Sequence, residues 1–180
     1  NTYLPVYSFN SSVAYVTGSH SFKVGEQWRW GWVSTRTDLL DLHGDLVQRY
    51  RNRVPDSVDV KNTPVSPTTN LATELGLYVQ DSWTIRRLTL NPGLRYEMFR
   101  ASLPEQTAAA GRFVPERHFA AIPNILDWKN AAPRLGAVYD LFGDGKTAVK
   151  ASIGKYMFLA SATDAAKYNP MVLSTDTRTW

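Results

Sequence analysis

The stretch from Glu74 to Glu97 reads ELGLYVQDSWTIRRLTLNPGLRYE, and its pattern decides the fold. From Leu75 to Ile85 the odd positions are Leu75, Leu77, Val79, Asp81, Trp83 and Ile85, while the even ones are Gly76, Tyr78, Gln80, Ser82 and Thr84. From Leu88 to Met98 the phase shifts, and Leu88, Leu90, Pro92, Leu94, Tyr96 and Met98 alternate with Thr89, Asn91, Gly93, Arg95 and Glu97. A period of two with one apolar and one polar side marks a β-strand with two unlike faces. Folding the two runs about a turn at Arg86-Arg87 sets Ile85 against Leu88, Trp83 against Leu90 and Val79 against Leu94. Apolar then meets apolar, and Tyr78 meets Arg95. Asp81, opposite Pro92, breaks the apolar face, and the sequence gives no physical account of it beyond a place near a membrane boundary.

Two more hairpins follow the same rule. Ser8 to Thr17 turns at Gly18-Ser19 into His20 to Trp32, where Phe22, Val24, Trp28, Trp30 and Trp32 share a face that Glu26 interrupts. Lys23, Gly25, Gln27 and Arg29 take the other face. Arg134 to Leu141 turns through residues 142–146 into Thr147 to Phe158, with Val149, Ala151, Ile153 and Met157 opposing Lys150, Ser152, Gly154 and Tyr156. Gly143-Asp144-Gly145 supplies the positive-φ residues of a tight turn and resembles a phosphate loop in glycine count alone. The hairpins span about 8–32, 74–98 and 134–158, and the links 33–73, 99–133 and 159–180 are long. Connections above about 12–15 residues are uncommon in compact soluble domains. In an antiparallel meander alternate connections fall at opposite ends, so the short turns gather at one end and the long loops at the other. That asymmetry belongs to outer-membrane β-barrels, with short periplasmic turns and long extracellular loops.

The predicted fold is therefore all-β: six long strands in three hairpins, part of a larger plugged transmembrane barrel. Strands of eight to thirteen residues suit a tilted span, which needs about 9–11. Trp83 near the short turns and Trp28, Trp30, Trp32 and Tyr96 toward the long loops suit aromatic girdles. The first long link holds a smaller hairpin, Asp45 to Arg51 against Ser57 to Lys61, with its turn expected at Pro55-Asp56.

Composition agrees. Twenty Lys and Arg against sixteen Asp and Glu leave a net charge of +4, and 43% of residues are hydrophobic. No apolar run exceeds five residues, even counting Gly, whereas a membrane helix needs about 20. The absence of cysteine removes disulfides, thiolate metal sites and cysteine nucleophiles. Nine Tyr and six Trp outnumber seven Phe, a bias toward rings suited to boundaries between apolar and wet surroundings. The chain starts at Asn1 without a Met or a signal-peptide pattern.

With these patterns in place, Glu74 to Glu97 and "NAAPRLGAVYDLFGDGKTAVKASIGKYM" (Asn130 to Met157) resemble the barrel of TonB-dependent outer-membrane transporters, nearest the Oar-like branch of large receptors. "TGSHSFKVGEQWR" (Thr17 to Arg29) and "GDLVQRYRNRVPDSVDVKNTP" (Gly44 to Pro64) are similar to the same branch, in the same order. The resemblance implies a Gram-negative outer-membrane protein that imports a bound ligand with energy passed through TonB. It also implies a plug inside the barrel that contacts TonB. No plug, TonB-contacting box or final aromatic barrel strand is recognisable here, since "STDTRTW" lacks alternation, so the chain reads as a fragment. Six strands cannot close a plugged barrel.

No catalytic constellation emerges, and no cofactor or metal is expected. His20, His43 and His118 lie apart without metal-ligand spacing. Asp38, Asp41 and Asp45 miss the spacing of a calcium loop. Lys23, Gln27, Arg29, Tyr78, Gln80, Arg95, Glu97 and Lys150 are expected to face the lumen, where they hydrate the wall and hold the plug. Arg49, Arg51 and Arg53 are candidates for lipopolysaccharide phosphates or an anionic ligand, because guanidinium pairs bidentately with such groups. The expected partners are outer-membrane lipid and lipopolysaccharide, TonB and an unidentified imported ligand. The basic residues form no stripe suited to nucleic acid. A passive or structural barrel is the second reading. The third, a soluble β-sandwich, requires the Phe22, Val24, Trp28 and Leu77, Val79, Trp83 faces to pack on each other.

Overall fold

The computed structural model describes residues 1–37, 46–157, 161–172 and 175–179. In chain order the strands are β1 (Thr2–Tyr3), β2 (Val6–Thr17), β3 (His20–Thr35), β4 (Leu46–Arg51), β5 (Val54–Lys61), β6 (Thr68–Ile85), β7 (Leu88–Leu103), β8 (Gln106–Ala108), β9 (Arg117–Phe119), β10 (Ile122–Asp140), β11 (Ala148–Gly154) and β12 (Thr175–Thr179). A short helix, α1 (Ala162–Ala166), and a 3-10 turn, Pro170–Val172, lie between β11 and β12.

Strands β2, β3, β6, β7, β10 and β11 make one antiparallel meander, with β1 pairing the far end of β3. The central register is the expected one, Ile85 against Leu88, Trp83 against Leu90, Val79 against Leu94 and Tyr78 against Arg95. Alternation then carries across the sheet. Phe22, Val24 and Trp28 on β3 lie beside Leu77, Val79 and Trp83 on β6, on one face of one sheet, and all six stay exposed. These faces do not pack on each other, which removes the β-sandwich reading.

The strands run longer than expected. Five span 12 to 19 residues and β11 spans 7. At about 3.3 Å per residue and a tilt of about 40°, an 18-residue strand rises about 45 Å, well past a lipid-facing band of about 25 Å. The excess lies at the long-loop end, where β6 starts at Thr68 and β7 continues to Leu103. There Ala72 is an extra residue in β6, shifting its register with both neighbours. Beyond that bulge the polar face turns apolar: Val33, Leu71, Phe99 and Ala101 pack with Ala162 and Ala165 of α1. Sequence periodicity misses this extension because the two faces exchange character where the strand leaves lipid.

At the short-turn end, Asp140 organises the β10–β11 connection. Its carboxylate accepts from the amides of Gly143 at 2.9 Å and Gly145 at 3.0 Å, so the glycine-rich segment is a turn closed on itself. Both glycines have positive φ, 76° and 72°.

The excursion hairpin forms, with a different turn. β4 and β5 meet at Asn52-Arg53, with φ values of 53° and 67°, in place of Pro55-Asp56. Pro55 enters β5 opposite Tyr50, at a bulge, the tolerated position for a residue without an amide hydrogen. Thr175–Thr179, expected as loop, adds to the other edge of β5 as β12 and completes a three-stranded sheet.

Candidate functional site on the polar face

The polar face is built by register. Lys23 pairs with Gln80, Gly25 with Tyr78, Gln27 with Gly76, and Arg29 with Glu74. Tyr78 pairs in turn with Arg95, and Gly76 with Glu97. Seven of the eight expected polar-face residues thus form one patch over β3, β6 and β7. Lys150 stands apart on β11, opposite Val138.

Two glycines give this patch its relief. A Cβ at Gly76 would run into the Arg95 guanidinium, and one at Gly25 would meet both the Tyr78 ring and the Ser11 carbonyl. Arg95 Nε donates to Glu97 Oε1 at 2.6 Å, and another of its nitrogens donates to Gln27 Oε1 at 3.0 Å. Arg29 pairs with Glu74. The Lys23 ammonium stands 6.0 Å from the centre of the Tyr78 ring, within cation–π range. The charges of the patch, Lys23, Arg29 and Arg95 against Glu74 and Glu97, nearly cancel, and each carboxylate is paired with an arginine.

Sequence reasoning missed several members. Glu74, Asn130, Phe99, Trp128 and Met157 join Gln27, Arg29, Arg95 and Glu97 around one recess of about 500 Å³, its open mouth included. Phe99 and Trp128 are directly paired across β7 and β10, with ring centres 6.0 Å apart. Their identity as neighbours depends on a pairing across a link with its own small hairpin, β8 with β9, a distance that alternation within one strand does not encode.

Two of the three loop arginines, Arg49 and Arg51, pair with carboxylates of the small sheet. Arg49 donates from Nε to Asp59 Oδ2 at 3.0 Å, and Thr177 Oγ1 on β12 donates to Asp59 Oδ1 at 2.7 Å. The Arg49 hydrogen bond holds the Asp59 carboxyl below its ordinary 3.8, helped by Thr177, and the same bond raises Arg49. Arg51 Nε lies 3.6 Å from Asp56 Oδ1, and Arg53 occupies the turn.

His20 and His118 are far apart in the fold. His20 Nδ1 is 2.6 Å from Asp81 Oδ2, and His118 Nδ1 is 3.2 Å from Thr107 Oγ1. Asp38, Asp41, His43 and Asp45 fall outside the described residues, among which no group of three or more His, Cys, Asp or Glu could hold a metal ion.

Comparison with known proteins covers the whole sheet. A family described as outer membrane beta barrel domain matches residues 2–179. The chain is 32% identical over 103 residues to the TonB-dependent transporter Oar of Myxococcus xanthus, a stretch covering 57% of this chain and 8% of that protein. No solved structure matches.

Proposed function

Because the chain belongs to the outer membrane beta barrel domain family, we propose that it forms wall strands of a TonB-dependent transporter, which imports a ligand across the Gram-negative outer membrane. The observation carrying this reading is that the same six strands present an exposed apolar face and a polar face of paired charges. In a bilayer such a sheet sets its apolar face to lipid and its polar face to a lumen, with the backbone groups of its inner strands bonded across the ladder. Short turns then lie in the periplasm, and the small sheet and α1 lie outside the cell. The proposed role of Lys23, Gln27, Arg29, Tyr78, Gln80, Arg95, Glu97 and Lys150 is to line that lumen and hold the plug by hydrogen bonds and ion pairs. Catalysis forms no part of the reading.

Potassium chloride conductance through the full-length protein in a planar bilayer tests it. A plugged transporter stays closed in salt alone and opens reversibly when urea loosens the plug. Replacing Arg95 and Glu97 together with Ala lowers the urea concentration needed. A channel that conducts fully without urea supports a passive pore instead.

A further inference from the structure

The apolar face carries acidic side chains within its lipid-facing stretch, and they are treated differently. Asp81 has His20, whose ring stacks on Trp83 with centres 5.2 Å apart. Glu26 meets, among the described residues, a hydroxyl alone: Ser11 Oγ on the neighbouring strand donates to its Oε1 at 3.3 Å. By register, the other cations of this face among the described residues are Arg100 on β7 and Lys129 on β10, both nearer the long-loop end, and Lys155, whose amide bonds the Pro133 carbonyl just past β11, four strands from Glu26. Arg100 is already paired with Asp127 at 3.3 Å. Lys129 is three strands from Glu26, about 14 Å across the ladder.

The level of Glu26 makes this consequential. It is four positions from Phe22, which pairs with Asp81, and four from Trp30 in the aromatic tier facing Tyr7. At a vertical rise of about 2.5 Å per residue, the carboxylate lies about 10 Å from either level, inside a lipid-facing band of about 25 Å. An ionisable group at such depth is costly against lipid and normally has a partner. Beside it lies a trough floored by Val13, Val24, Leu77, Val79, Leu94 and Tyr96. Larger rings stand above and below, Phe9 paired with Trp28 and Tyr15 paired with Phe22.

We propose that this trough is an interface within the membrane, occupied by a segment of a separate membrane-embedded protein that presents a lysine or arginine. The aliphatic stem of that residue lies along Val13, Val24 and Val79, and its charged end meets Glu26 and the Ser11 hydroxyl, a division suited to long basic side chains. The proposal concerns the outer wall and stands apart from what the lumen transports.

Photocrosslinking in native outer membranes tests it, with benzoylphenylalanine replacing Tyr15 in the full-length protein. The expected result is one discrete protein adduct whose linked segment carries a membrane-facing Lys or Arg. Glu26→Gln lowers its yield about tenfold or more, as loss of a desolvated charge partner should, while heat-modifiable gel mobility shows the barrel still folded. Glu26→Lys combined with an acidic substitution of the partner's basic residue restores the adduct. Label found only on lipid, only within the same chain or only on a second copy overturns the proposal. So does an adduct of equal yield in folded Glu26→Gln.

Discussion

Asp81 sits among apolar side chains, one residue pair from the short-turn boundary, and its second oxygen is buried with no hydrogen-bond partner. His20 is therefore the group that offsets the carboxylate. Truncating one member of such a pair leaves the other uncompensated, whereas removing both does not. His20→Ala is expected to destabilise the folded barrel by about 1–3 kcal/mol, and Asp81→Ala on top of it to recover part of that loss. Urea midpoints in detergent micelles measure both, and strict additivity would refute the coupling. This pair was not legible in the sequence: 61 positions separate its members, and they meet only through the β3–β6 register. Gly76 makes the complementary case, since alternation placed it on the polar face but could not show Arg95 lying over it. Gly76→Val should push aside the movable end of the Arg95 side chain and loosen its hydrogen bonds to Gln27 and Glu97, costing about 1 kcal/mol or less, and little further loss should follow when Arg95→Ala is added, again read from urea midpoints.

Among elements, the small sheet is held together by polar contacts, whereas α1 docks through Ala162 and Ala165 on the apolar cluster of Val33, Leu71, Phe99 and Ala101 and is braced internally by Ser161, Asp164 and Lys167. Asp59, with 5% of its side chain exposed, ties β4, β5 and β12 together through Arg49 and Thr177. Its acidity is increased on folding, chiefly by the Arg49 hydrogen bond, so the unfolded chain binds the proton more readily. The stabilisation is complete above the ordinary carboxylate value and is lost as pH falls through the lowered one. Asp164 in α1 is shifted the same way, by Lys167 first and Ser161 next. Amide exchange in β12 and α1 should accelerate below about pH 4, and Asp59→Asn should remove most of the pH dependence in β12. Asn169, 2% exposed, donates to the Thr68 carbonyl at 3.1 Å and accepts from the Met171 amide at 3.0 Å. Asn169→Ala should weaken the docking of residues 161–172 by about 1–3 kcal/mol, detected as faster trypsin cleavage after Lys167. The existence of the β4–β5 hairpin was readable from its residues, but its turn was not. Pro55-Asp56 looks like a turn dipeptide, yet the ladder tolerates Pro55 at a bulge and moves the reversal to Asn52-Arg53. β12 was illegible for a different reason: five exposed residues acquire strand geometry only because the edge of β5 is open to them.

For the whole molecule, the meander and the identity of its two faces were legible because strand parity needs only alternation and loop lengths. The described sheet ends in two open edges, at β2, whose twelve residues are all exposed, and at β11. Unpaired edges beside a broad apolar face drive association. The 180-residue chain expressed by itself without detergent or lipid should therefore aggregate, and a sharply melting soluble monomer in sedimentation and circular dichroism would contradict that expectation.

The overlong strands have a consequence for whatever arrives from outside. About 20 Å of paired wall remains at the longest strands, β6 and β10, once the lipid band of about 25 Å is subtracted from their height of about 45 Å. In the proposed orientation this collar stands through the sugar layer of the outer leaflet, with the small sheet and α1 at its rim. An arriving molecule then meets ordered protein before saccharide, and docking at the rim need not disturb the lipid around the barrel.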